Sequence, residues 1–179
     1  MQNSLSRVFF LSKGCKQVPP NECRGHVRWG HPDGYFLNAQ GQRMADNLTP
    51  SHMRHCNNHP APNLSHGGLS CHRAMALAHY GPCPIFIDSK TGKSYKGHCH
   101  HLISDLLDYK PANLLCWLTR PEHTEADRRQ KALREVLPDM HAISYDEHRR
   151  LQDPRTMPRE QFEIILQSLK DNYGTEKYL

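Results

Sequence analysis

His100 and His101 stand side by side at the end of a short run of strand-forming residues, and Asn113 follows twelve positions after the second of them. Ten further on, His123 falls in the first turn of a helical stretch, with Asp127 four residues beyond it. Neighbouring residues on a strand point to opposite faces, so one histidine of the pair can bind a metal while the other acts on water. Residues four apart on a helix share a face, so His123 and Asp127 could ligate a single ion. Phosphodiester hydrolysis calls for such parts: an activated water, a Lewis acid on the phosphate oxygens and help for the leaving oxygen. Imidazole suits the base because its ordinary pKa, about 6.5, lies near neutrality.

The elements that must position these groups run strand, long polar loop, strand, helix. Asn113 opens the apolar run Leu114-Leu115-Cys116-Trp117-Leu118, a strand. Thr119 and Glu122 have capping-box spacing, which fixes where the next helix begins. Pro121 is tolerated there because first-turn amides have no intrahelical partner. Upstream, Asp33-Gly34 and Gln40-Gly41 bracket the strand-like Tyr35-Phe36-Leu37. Ser51 to Cys56 is a second strand candidate. A helix is expected from His72 to Tyr80, with Ala74, Leu77 and Ala78 facing the core, stopped by Gly81-Pro82. Ile85-Phe86-Ile87 reads as a buried strand, and Asp88 to Gly92 as the turn before the strand that delivers the histidine pair.

These residues resemble the HNH nuclease family, whose fold is a ββα unit wrapped around one metal. The run HHLISDLLDYKPANL carries the family's His-His pair and matched Asn without a gap. Cys71 to Tyr80 is similar to the helix preceding that pair in phage and intron-encoded HNH homing endonucleases. The interval from Asn113 to His123 is one residue longer than the pattern, to be absorbed by a bulge near Cys116 and Trp117. The resemblance implies an α+β fold: a ββα-metal core at about 95–137, short upstream strands and helix, and a C-terminal helical tail. It implies His101 as general base, His100 and His123 as ligands with Asp127 as a third, and Asn113 holding the loop and orienting His101. It further implies a metal-dependent endonuclease cutting DNA, of phage or mobile-element type. Mg²⁺ or Mn²⁺ would fit catalysis on phosphate, while Zn²⁺ or Ni²⁺ would bind such ligands more tightly. Two alternatives stand beside it: a non-catalytic nucleic-acid-binding or assembly subunit keeping the fold, and a zinc knuckle of His98, Cys99, His100, Cys116 and His123.

Charge and periodicity mark off a basic N-terminal arm (1–31) and a helical extension (141–179) of the 179 residues, and the resemblance implies a nuclease domain between them (32–140). The arm carries Arg7, Lys13, Lys16, Arg24 and Arg28 against Glu22 alone, with Trp29 among them, and could track phosphates or be a solvated terminus. Arg24, Arg28, His72, Arg73, Arg120, Arg128 and Arg129 are the expected nucleic-acid contacts. Histidines at 52, 55, 59, 66, 72 and 79, or Cys15, Cys23, His26 and His31, could form a second metal site, but neither set has the paired spacing of structural zinc. Seven cysteines without a C-x-x-C pair argue for reduced thiols in a cytoplasmic setting, which the resemblance implies is a bacterial or phage-infected cell. No apolar run reaches the roughly 18 residues of a membrane span, and the N-terminal apolar run is too short for a secretory signal. Mean hydropathy of −0.77 implies a large share of surface. In the tail, Ser144 with Glu147 caps a short helix. Phe162, Ile165, Leu166 and Leu169 then make a stripe for core packing or for docking a protein partner.

Overall fold

The computed structural model describes residues 6–22, 28–44, 46–47, 61–62, 70–103, 105, 108–137 and 139–173. The strand expected over Ser51 to Cys56, and Arg24, lie outside them. The fold is mixed α+β with small sheets and five helices among the described residues. The chain divides into two compact units, Met1–Cys83 with Asp105–Leu114, and Pro84–Ser104 with Leu115–Leu179.

In the first unit, helix α1 (Arg7–Ser12) is followed by an antiparallel sheet of β1 (Lys16–Gln17), β2 (Trp29–His31) and β3 (Tyr35–Leu37). Gly34 turns β2 into β3 at φ 84°, and a Cβ there would lie 3.0 Å from the Lys110 backbone nitrogen, so glycine is required on both counts. Phe10 stacks on Trp29 with ring centroids 4.5 Å apart, and Cys15 and Leu37 complete that core. The described part of the expected basic arm is therefore folded: its aromatic residue is core, unavailable for stacking on a base. Strands β4 (Asp46–Asn47) and β5 (Ala61–Pro62) pair antiparallel. Helix α2 (Cys71–Tyr80) buries Ala74 and Leu77, as its periodicity predicts, together with Met75 and Ala76, and Gly81 ends it at φ 82°. Its His79 Nε2 is 3.0 Å from the Gly30 carbonyl, which ties α2 to the sheet.

In the second unit, β6 (Ile85–Ile87) and β7 (Ser94–Lys96) form an antiparallel hairpin. Its turn is held by the Asp88 Oδ1, which accepts from the Lys90 and Thr91 amides at 3.0 Å. The strand is as expected, its burial is not: Ile85 and Ile87 are 69% and 73% exposed. Alternation sends both to the open face, while Phe86 packs beside Tyr95 on the other. Strand β8 (His98–His101) pairs with β9 (Leu114–Leu118), and helix α3 (Arg120–Val136) follows. Leu102, Leu115, Leu118 and Ala126 form the small core between strands and helix. Near the expected bulge, Trp117 sits in the left-handed region at φ 61°, a conformation costing about 1–3 kcal/mol for a non-glycine residue. Thr119 and Glu122 form a reciprocal capping box, with the Thr119 amide donating to Glu122 Oε2 at 2.7 Å.

Helices α4 (Tyr145–Gln152) and α5 (Arg159–Tyr173) close this unit. Ser144 accepts from the Glu147 amide at 3.2 Å, but the Glu147 side chain turns to Arg150 and the cap is not reciprocal. Phe162 and Leu166 of the predicted stripe are buried with Leu133, Val136, Leu137, Leu151 and Met157, and Ile165 and Leu169 pack against them. At about 1.5–3 kcal/mol for each fully buried large apolar side chain, this cluster is the main hydrophobic anchor of α3, α4 and α5.

Candidate metal centre

His100 is in β8, and His123 and Asp127 are one helical turn apart in α3, where the capping box fixes the phase of the helix. The two imidazoles converge on one carboxylate. His100 Nδ1 lies 2.9 Å from Asp127 Oδ1, and His123 Nδ1 lies 3.1 Å from Oδ2. Ligand atoms of all three residues fall within 4.8 Å of one another. The rings of His100 and His123 stand nearly perpendicular, 5.6 Å between centroids. Side-chain exposure rises across the triad, from 3% at His100 through 29% at His123 to 54% at Asp127. The group is thus walled on the His100 side and open to solvent on the Asp127 side.

Charge in the triad is strongly coupled. Partial burial works to raise the Asp127 carboxyl, but hydrogen bonds from His100 and His123 outweigh it and hold it well below the usual carboxylate range. The bond to Asp127 raises His123 above its ordinary value; burial opposes this and the Cys99 backbone carbonyl adds to it. Two imidazole nitrogens aimed at the two oxygens of one carboxylate favour a cation among them, whether proton or metal. Two nitrogens and one oxygen, with one side open, fit a divalent ion that keeps exchangeable positions. The zinc-knuckle alternative draws on Cys99 and Cys116, but these two thiols hydrogen-bond each other, which with burial pushes Cys116 up. The five described cysteines carry no disulfide.

The remaining predicted site residues are distributed as follows. His101 is buried, both ring nitrogens included, and its carbonyl accepts from the Gln130 amide, as does that of Leu102 at 2.9 Å. Asn113, wholly buried in the first unit, donates from Nδ2 to the Asp108 carbonyl at 2.6 Å, which closes the loop before β9. Also in the first unit, Arg28 is half-buried, His72 Nε2 sits 3.4 Å from Ser70 Oγ, and Arg73 reaches Cys83 Sγ at 3.0 Å. In the second, Arg120 is exposed, over the Tyr95 ring and 3.3 Å from Asp88. Arg129 cannot contact phosphate: it is 1% exposed, bound to Glu125 and the Leu151 carbonyl. Arg128 makes a bidentate bond to Glu125 and a further bond to Glu163.

Sequence inspection missed Gln130, His148 and Gln152. His148 and Gln152 are four apart on a short helix and both fully buried. A polar pair on the apolar face beside Leu151 was the available signal. No known family model, curated protein or solved structure matches this chain. No described helix is long and apolar enough to cross a membrane.

Proposed function

We propose that this chain is an HNH-type, metal-dependent endonuclease that hydrolyses DNA phosphodiester bonds, with a ββα-metal core formed by β8, β9 and α3. The observation that carries the proposal is the convergence of His100, His123 and Asp127 on one point, one residue from a second buried histidine. A divalent ion held by these three would supply Lewis-acid polarisation of the phosphate and stabilise the leaving oxygen. Mg²⁺ or Mn²⁺ suits that task, and the two nitrogen donors also admit Zn²⁺.

The chain's own groups do the rest. His101 takes the proton of the attacking water, a contribution of about 10²–10⁴ in rate. Asn113 fixes the loop through Asp108, and so serves the site by holding backbone. Arg120, Lys90, Lys93 and Lys96 are exposed cations of the second unit. A groove of about 480 Å³ runs between Ile87, Lys90, Tyr95 and Arg120 and offers a path for a phosphate backbone.

The burial of both His101 ring nitrogens favours a second reading, a non-catalytic nucleic-acid-binding subunit with a structural metal. Plasmid cleavage separates the two. Purified protein with Mg²⁺ or Mn²⁺ should nick or cut supercoiled DNA, and EDTA should stop it. His101→Ala should abolish cutting while leaving metal binding and DNA retention near wild type. Undiminished cutting by that variant would refute His101 as base; metal-saturated wild type that binds DNA without cutting would establish the second reading.

A further inference from the structure

We propose that the β6–β7 hairpin is a ribbon that lies in the major groove of duplex DNA. Its Ile85 and Ile87 meet base edges, and Lys90, Lys93 and Lys96 meet the flanking phosphates. The inference deepens the reading of this chain as a DNA endonuclease and rests on it. Antiparallel register sets Ile85 opposite Lys96 and Ile87 opposite Ser94, so these four side chains share one face. All four are exposed. The other face is the anchored one, with the rings of Phe86 and Tyr95 5.7 Å apart. At the base of the hairpin the Gly97 amide donates to the Pro84 carbonyl at 3.0 Å. A Cβ at Gly97 would lie 3.2 Å from Trp117 Cα and 3.3 Å from the Phe86 ring, so the hairpin sits close against β9. Two isoleucines adjacent on the open face of so firmly held a ribbon, rimmed by cations, form a contact surface.

Charge selects the occupant. Between Pro84 and Gly97 stand three lysines and one acid, Asp88. That carboxylate is already engaged: Oδ1 accepts from the Lys90 and Thr91 amides, and Oδ2 lies 3.3 Å from Arg120 Nη1. Among the described residues no carboxylate pairs with the ammonium of Lys90, Lys93 or Lys96. The turn that presents Lys90 and Lys93 is ordered, with Gly92 at φ 67° and its amide donating to the Asp88 carbonyl at 2.8 Å. Geometry selects the groove. Two strands about 4.8 Å apart, with their side chains, are too broad for a minor groove of about 6 Å and fit a major groove of about 12 Å. Ile85 and Ile87 are about 6.8 Å apart along their strand, equal to two base-pair steps of about 3.4 Å. Their contacts can only be apolar, and the apolar group on a major-groove edge is the thymine methyl. Gly97 joins the hairpin directly to β8, so a duplex held there lies next to the strand of His100 and His101.

The test is binding of the full chain to a labelled, A·T-rich duplex, read by fluorescence anisotropy over a salt series with EDTA present to prevent cleavage. Lys90→Ala/Lys93→Ala/Lys96→Ala should flatten the slope of log affinity against log salt by about 2.7, three phosphate contacts at about 0.9 each. Ile85→Ser/Ile87→Ser changes exposed side chains only, should keep the far-UV circular dichroism of wild type, and should leave the slope unchanged. Replacing thymine by uracil removes the methyl alone. It should weaken wild type by about fourfold for each methyl lost from the contact, and leave the serine variant indifferent. An unchanged slope in the lysine variant, or an equal uracil effect in wild type and serine variant, overturns the proposal. So does a serine variant that binds DNA as wild type but self-associates less in sedimentation, which would give the face to a second copy. Wild type that holds DNA through the hairpin yet never cuts with Mg²⁺ or Mn²⁺ leaves the ribbon standing and removes the nuclease reading. Wild type that cuts, while both variants bind as it does, removes the ribbon and leaves the nuclease.

Discussion

Glu125 stands two residues from each of the triad's helical members but faces away from them, and Glu125→Ala separates the helix's structural work from its chemistry. The carboxylate accepts from Arg128 at 2.9 Å, Arg129 at 3.0 Å and Arg159 at 3.2 Å. Arg128 and Arg159 are exposed enough that each pair is worth only about 0–1 kcal/mol. Arg129 is different: its side chain is 2% exposed, its guanidinium lies 5.1 Å from the Phe162 ring centroid, and it reaches the Leu151 carbonyl. Removing Glu125 strands that charge at the edge of the apolar cluster, and breaking a buried pair in this way costs about 3–5 kcal/mol. Glu125 is itself 21% exposed, and water admitted at its place relieves part of the loss, so the expected value is about 3 kcal/mol. For a chain of this size that is a fall of roughly 6–12 °C in Tm.

Urea melts followed by far-UV circular dichroism measure the loss, with Glu125→Ala/Arg129→Met as control. The double variant should regain most of it, since methionine fills the arginine stem's volume without a charge. Metal affinity of the folded single variant should match wild type. The pH dependence has a definite sign. Hydrogen bonds from Arg128, opposed by burial and helped by Arg129, hold the Glu125 carboxyl down at about 2. Its folded value lies below the unfolded value of about 4.3, so its stabilisation is complete above that pH and is lost as pH falls toward the folded value. Wild type should lose its advantage over the variant across that window. A loss below about 1 kcal/mol, or a double variant no more stable than the single, would refute the claim that Glu125 compensates a buried charge.

Other outcomes follow from the same contacts. Asp127→Ala removes the oxygens that both imidazoles share, so calorimetric Mn²⁺ or Zn²⁺ titration should show affinity down by about 100-fold or more, with a comparable loss for His123→Ala. Saturating metal, at 100 times its Kd, should stabilise the second unit by about 2.7 kcal/mol in a thermal melt. EDTA should reverse that gain, and Asp127→Ala should not show it. Phe10→Ala, which deletes the ring stacked on Trp29, should cost about 3–5 kcal/mol in the unfolding of the first unit, checked by the loss of Trp29 fluorescence change in urea.

The triad was legible because each constraint on it is local: a strand pair, an i, i+4 spacing, and a capping box that sets the phase of the helix. Arg129 was misjudged on charge, yet its position at helical spacing between Ala126 and Leu133 puts it on the buried stripe. The Ile85-Phe86-Ile87 run showed a strand but not which face would be covered, because an apolar triplet of alternating residues reads the same either way up. Trp29 looked like part of a charged arm because its partners, Phe10 and Leu37, lie on separate elements that composition cannot bring together. The link from Gln152 to His100 spans more than fifty residues and has no periodic signature at all.

That long link changes what the C-terminal segment does. The three proposed ligands come from residues 100–127, but one oxygen bonded to His100 comes from Gln152, whose amide is held by His148 and, through it, by the Met140 carbonyl. Those atoms are held in turn by the packing of Leu151 with Phe162 and Leu166 against Leu133 and Val136. A chain ending near residue 139 would keep every proposed ligand and lose the oxygen that faces His100 Nε2. It would also expose Leu133, Val136 and Leu137 to water. The helical segment therefore backs the buried side of His100, and the partner of its Nε2 is held in place by a hydrophobic cluster.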